Sequence, residues 1–115
     1  MTTRAEIQVE QDADLVVATL SGEVDMTNAA YVREELTAAV PNGARALVVD
    51  LSGTTYLDSA AIELLFELSR RLARRRQVLR LALPEDSPLR RLLTLTDVES
   101  VAELYTSLAE ARASA

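Results

Sequence analysis

The chain of 115 residues is 49% hydrophobic and 26% charged with a formal net charge of −6, which is the profile of one globular domain able to bury roughly two-thirds of its unfolded surface without staples. It has no Cys, no His and, because all twelve basic residues are Arg, no Lys, which excludes disulfides, thiolate metal sites, thiol nucleophiles, an imidazole base, Schiff-base chemistry and a P-loop. The acidic balance argues against general nucleic-acid binding, no apolar run nears the ~18 residues of a membrane span, and the N-terminus lacks the apolar core of a signal peptide, so the expectation is a cytoplasmic binding module.

The net charge is unevenly placed. Residues 1–57 hold nine acids against three Arg, whereas residues 58–115 hold nine of each, so it is the first half that would face a basic partner.

Ile7 to Val9 reads as a short strand, Asp12-Ala13-Asp14 as a turn and Leu15 to Leu20 as a second strand, together a hairpin. Ser21-Gly22-Glu23-Val24-Asp25 reads as a loop. Thr27 or Asn28 then caps a helix running to about Val40, with Tyr31, Val32, Leu36, Ala39 and Val40 available for its inner face. Pro41-Asn42-Gly43 supplies the turn chemistry that ends it.

Ala46 to Leu51 is a near-continuous apolar run, as in a parallel strand covered on both faces. Ser52-Gly53 breaks it. Asp58-Ser59 opens a helix from about Ala60 to Arg75, with Ala61, Leu64, Leu65, Leu68 and Leu72 as the inner stripe and Glu63, Glu67, Arg70, Arg71 and Arg74 outside. Val78 to Leu83 is the next strand. Ser87-Pro88 starts a short helix through Leu89, Leu92 and Leu93, Val101 to Leu104 is a brief strand, and Ser107 starts a terminal helix. This alternation predicts an α/β single domain with a mixed sheet of about five strands and about four helices.

Three segments are candidates for function. Tyr56-Leu57-Asp58-Ser59 places a serine where a helix begins, and the helix dipole and backbone N–H groups there tolerate a phosphate ester; ordinary N-capping is the plain alternative. Ser21 to Asp25 follows a strand and precedes a helix, so in a parallel sheet it lies at the same edge as Ser59. Two acidic loops around one hydroxyl are able to recruit Mg²⁺ or basic groups of a partner, although either is equally a polar surface loop with Asp25 as a helix cap. The run Arg70 to Arg76 could grip phosphate or an acidic partner, but cations at a helix C-terminus are favourable by roughly 0.3–1 kcal/mol each in any case, and Glu67 with Arg71 forms an i,i+4 pair in the favourable order.

The ordered pair of segments resembles the STAS domain family, and within it the bacterial anti-sigma factor antagonists. Gly22-Glu23-Val24-Asp25 matches their Gly-Glu-hydrophobic-Asp motif, and Asp58-Ser59-Ala60-Ala61-Ile62-Glu63 matches in part their Asp-Ser-Ser/Thr-Gly-Leu-Gly motif. Pro88 to Ala109 looks like the family's closing helix, strand and helix, so the resemblance covers about residues 7–110 of a single STAS-like domain, 1–115. It implies partner switching. The unmodified antagonist binds an anti-sigma factor that is also a serine kinase, a sigma factor is released, and the kinase, using its own ATP and Mg²⁺, phosphorylates the antagonist and lets it go; a phosphatase resets it.

Carried onto this chain, the resemblance makes Ser59 the phosphoacceptor. Asp25 and Asp58 become acids that orient the hydroxyl or the partner, and Gly22, Glu23, Thr27, Ala60, Ala61 and Ile62 become partner-binding residues. Ala60 replaces a second hydroxyl. Ala61 and Glu63 replace glycines, so that a Cβ is expected to crowd the partner's approach and a carboxylate to repel the incoming γ-phosphate. No metal, cofactor, direct nucleic-acid contact or membrane span is implied. The same family also supplies constitutive subunits of stressosomes and phospholipid-transport ABC complexes, which hold partners without phosphate turnover. An independent hydrolase using Ser59 with Asp25 or Asp58 would have no His or Lys to activate the hydroxyl.

Overall fold

The computed structural model describes residues 4–113. Strands β1 (Glu6–Asp12) and β2 (Leu15–Val24) form the hairpin, paired in antiparallel register from Glu6 against Ser21 to Asp12 against Leu15. Ala13 turns the chain at φ 56°. Helix α1 (Ala29–Ala38) leads to β3 (Ala46–Asp50) and β4 (Thr54–Leu57), and α2 (Ser59–Arg74) to β5 (Val78–Ala82). Helix α3 (Pro88–Leu95), a 3₁₀ turn (Val98–Ser100), β6 (Glu103–Tyr105) and α4 (Leu108–Ala113) complete the described residues.

The sheet runs β1-β2-β3-β5-β6, with β4 paired to β2, and only the β1–β2 pair is antiparallel. Among the described residues it is therefore a mixed α/β sheet of six strands with four helices. No helix among the described residues is long and apolar enough to cross a membrane.

Alternation along the strands sorts the two faces. Val16, Ala18 and Leu20 of β2, Leu47 and Val49 of β3, and Leu79 and Leu81 of β5 share a core with Val32 and Leu36 of α1 and Leu64, Leu65, Leu68 and Leu72 of α2. Each fully buried Leu or Val contributes roughly 1.5–3 kcal/mol. The opposite face is thinner: Val17, Val48 and Ala82 meet Ala111 of α4, with Leu108 and Tyr105 at the margin. Arg80 lies on that face. It is buried by packing and held by Glu103 Oε1 at 3.1 Å and the Ala111 carbonyl at 3.1 Å.

The inner stripe expected of α2 is buried as read, and Ser87 caps α3, its hydroxyl accepting from the Leu89 N–H at 3.2 Å. Other expectations are corrected. The Ser21–Asp25 segment is mostly strand, because β2 continues through Val24 to pair with β4 after a bulge between Gly22 and Glu23. Gly22 sits at φ 88°, a conformation that glycine reaches without strain. Strand β4 was not expected at all: Thr55 and Tyr56 are exposed, so four residues carry no readable alternation. Tyr31 is exposed rather than on the inner face of α1, which ends two residues early at Ala38. The last strand lies at 103–105 rather than 101–104, displaced by the 3₁₀ turn. Glu67 bonds not to Arg71 but to Arg33 Nη1 of α1, at 2.9 Å. Helix α2 ends with Arg76 in the left-handed region at φ 61° and the Gln77 N–H returning to the Leu72 carbonyl at 2.9 Å, a closure usually signalled by a glycine that this sequence lacks.

Candidate functional site

The end of β2 and the start of α2 meet through one carboxylate. Asp58 has extended backbone (φ −100°, ψ −172°) and caps α2, its Oδ1 accepting from the Ala61 N–H at 3.0 Å. Its Oδ2 accepts from the Met26 N–H at 2.9 Å, across 32 positions of sequence. The Asp58 N–H in turn reaches the Val24 carbonyl at 3.3 Å. The two segments are therefore side by side.

The β2–α1 loop is tied to itself as well. Asp25 Oδ1 accepts from the Thr27 N–H at 2.8 Å and from the Thr27 hydroxyl. Asn28 Oδ1 accepts from the Asp25 N–H at 2.9 Å, and Asn28 Nδ2 donates to the Glu23 carbonyl at 3.0 Å. Asn28, read from the sequence only as a possible helix cap, is the clasp of this loop; no pattern in the sequence distinguishes the two roles.

Against this frame Ser59 is the first residue of α2 and exposed, and its hydroxyl has no hydrogen-bond partner among the described residues. Thr27 is exposed, Glu23 and Ala60 are half-buried, and Gly22 is buried with its N–H on the Gly53 carbonyl at 3.0 Å. Gly53 lies close to β2, and a Cβ there would stand 3.1 Å from the Ser21 Cβ, so Ser21 would have to shift slightly to admit a side chain.

Three site expectations need correction. Ala61 and Ile62 are 1% and 8% exposed, their side chains in the core, so neither offers a side chain to a partner. The Cβ of Ala61 accordingly faces the core and not an incoming surface. Asp58 makes no hydrogen bond to the Ser59 hydroxyl: both of its oxygens are engaged by backbone N–H groups. Among the described residues no group of three or more acidic side chains is gathered that could hold a metal ion. The surface instead presents side chains that sequence reasoning passed over: Met26 at 79% exposure, with Tyr56 and Tyr31 also open. A methionine flanked by Asp25 and Thr27 was the available signal.

Two consequences are measurable. Asp58→Ala removes a cap and a cross-loop bond together, for an expected loss of about 1–3 kcal/mol; Asp58→Ser, which keeps a cap but cannot reach Met26, should fall between. Urea midpoints check this, and an Asp58→Ala variant as stable as wild type would show that the carboxylate does not hold the loop.

The second concerns pH. The Thr27 hydroxyl, and after it the Thr27 N–H, hold the Asp25 carboxyl below its ordinary value of 3.8. A depressed carboxyl contributes stability above its unfolded pKa and loses it as pH falls through the folded one. The loop is thus expected to stay closed through pH 4 and loosen only in stronger acid. The Thr27 amide shift followed by NMR should titrate with a midpoint below 3.8; a midpoint at or above that value would refute the assignment.

The structure is a mixed α/β sheet with an exposed serine opening its longest helix, beside the loop after the second strand. The STAS domain model matches residues 6–111, and the chain belongs to that family. Its structure is similar to that of an anti-sigma factor antagonist from Mycobacterium paratuberculosis, at 27% identity and TM-score 0.82 over 95% of this chain and 92% of the other. An anti-sigma-factor antagonist (STAS) domain protein from Planctomyces limnophilus is 25% identical, with TM-score 0.75 over 95% and 96% of the two chains. The phosphorylated form of the Bacillus cell fate determinant SpoIIAA shares the fold at 20% identity and TM-score 0.64, over 93% and 96%. No sequence among the curated proteins matches this chain.

Proposed function

We propose that the protein is an anti-sigma factor antagonist working by partner switching. Unmodified, it binds an anti-sigma factor serine kinase in the cytoplasm, and a sigma factor is set free. The kinase then transfers the γ-phosphoryl group of its own ATP to Ser59 Oγ. The new P–O bond forms as the bond to the β-phosphate oxygen breaks, ADP leaves, and the hydroxyl proton passes to a base on the kinase. A phosphatase reverses the modification. The chain contributes no catalytic residue.

The observation that carries this reading is the exposed, unpartnered Ser59 hydroxyl at the junction of two segments braced by Asp58. A brace of this kind keeps the acceptor in one position, which a visiting kinase needs for in-line transfer. Phosphate adds about −1.5 to −2 charges. The 16-residue helix behind it stabilises that charge through its dipole, so the fold tolerates the modification while an apolar surface docked over it does not. The switch then acts on the interface and leaves the domain intact.

A second reading, a constitutive STAS subunit of a stressosome or phospholipid-transport complex, is favoured by Glu63, exposed one helical turn from Ser59 where it opposes an incoming γ-phosphate. Incubation with the anti-sigma factor kinases of the same genome and ATP, followed by peptide mass spectrometry, separates the two. Phosphate confined to Ser59 is expected. The absence of both binding and phosphate removes the antagonist reading, and stable binding without phosphate selects the constitutive one.

A further inference from the structure

Next to Ser59, α1 and α2 leave a groove of about 250 Å³ between them. Its floor is Ala29 and Leu64, both buried, and Ala30, Ala60 and Met26 stand at its sides. The small side chains create the space. Small-molecule sites take roughly 300–1,000 Å³, so this one is sized for a single side chain of a partner.

The charges around the groove are one-sided. Its only cation among the described residues is Arg33, with Nη1 on Glu67 at 2.9 Å and Nη2 on Glu34 at 3.4 Å. Glu63, on the α2 side, is exposed and forms no ion pair among the described residues. In the neighbouring loop Asp25 precedes Met26 and adds a further acid. An incoming carboxylate is repelled here and a cation attracted. Met26 supplies an exposed, unbranched apolar arm whose backbone is held by Asp58, a side chain that adapts to the surface it meets.

We propose that this groove anchors the partner that Ser59 regulates, accepting one apolar side chain of that partner flanked by an Arg or Lys that pairs with Glu63; the proposal rests on reading the chain as a partner-switching antagonist. Anchors of this type, one side chain in a desolvated pocket with a polar rim, carry most of the energy of a protein interface.

The test titrates the full chain against the purified anti-sigma factor kinases of the same genome by calorimetry. Ala30→Trp fills the groove from an exposed helix position, Glu63→Arg reverses the exposed charge, and Leu95→Ser, on α3 and 71% exposed, is the control. Circular dichroism checks folding, with Ala30→Phe and Glu63→Lys as replacements for a variant that fails it. Ala30→Trp and Glu63→Arg are each expected to lose at least tenfold in affinity, Leu95→Ser nothing. A kinase that binds wild type and both groove variants equally overturns the groove assignment and leaves partner switching standing. Absence of any kinase binding to wild type removes the antagonist reading and this proposal with it. A wild-type dimer in sedimentation that Ala30→Trp dissociates assigns the groove to a second copy and overturns the proposal as well.

Discussion

Ser59→Asp is expected to weaken kinase binding by about 30-fold or more, while Ser59→Ala binds as wild type and is never released by ATP. The size follows from desolvation. An uncompensated charge buried in an interface costs roughly 2–5 kcal/mol, and 2 kcal/mol alone is about a 30-fold loss. The same carboxylate has little effect on the free domain. Residue 59 is exposed and opens α2, where the helix dipole favours a negative charge. The urea midpoint of Ser59→Asp is therefore expected within about 0.5 kcal/mol of wild type. The two measurements together isolate an interface effect from a folding effect. A Ser59→Asp protein that binds the kinase as tightly as wild type would mean that the contact does not cover this residue.

The largest expected loss of stability comes from Leu68→Ala. Leu68 has no exposed surface and lies in the core that α2 shares with the sheet. Its truncation removes the burial of the deleted atoms and leaves a cavity that rigid neighbours cannot fill, at a cost of about 2–5 kcal/mol. That is a large share of the roughly 5–15 kcal/mol total of a small domain. Leu95→Ala, eight residues into α3 and 71% exposed, is expected within about 0.5 kcal/mol of wild type. Equilibrium urea unfolding distinguishes them, and equal effects at the two positions would contradict the packing described. Leu68 also bears on function, because α2 can hold Ser59 in place only while it is seated on the sheet.

Much of this architecture was legible in advance because it depends on neighbours in the chain. The Leu64, Leu65, Leu68 and Leu72 spacing marks a helix with one buried face, and the run Ala46 to Leu51 marks a strand covered on both. Ser87-Pro88 announces a helix start by the chemistry of two residues. Strand β4 and the end of β2 were not legible. Apart from Gly22, Val24 and Leu57 their residues are polar or exposed, and they are strands only because each has the other to pair with. The Arg33–Glu67 link replaced the expected Glu67–Arg71 pair for a similar reason: α1 lies against α2 and places a cation where the helix alone would not.

In the candidate site, sequence by itself determined that a serine follows an acid at a helix start, that an acidic segment precedes it in the chain, and that neither His nor Lys is present beside them. These are matters of composition, order and local capping. Tertiary structure decided what these left open. Ile62 joins Ala61 in the core because α2 must bury that face to stay on the sheet, Asp58 is engaged by the backbone of two segments 32 positions apart, and Ser59 and Met26 are left on the surface. Helical periodicity says that a face is buried, but where the buried arc stops at a helix end depends on how the neighbouring loop crosses it, and that is set by contacts distant in the chain.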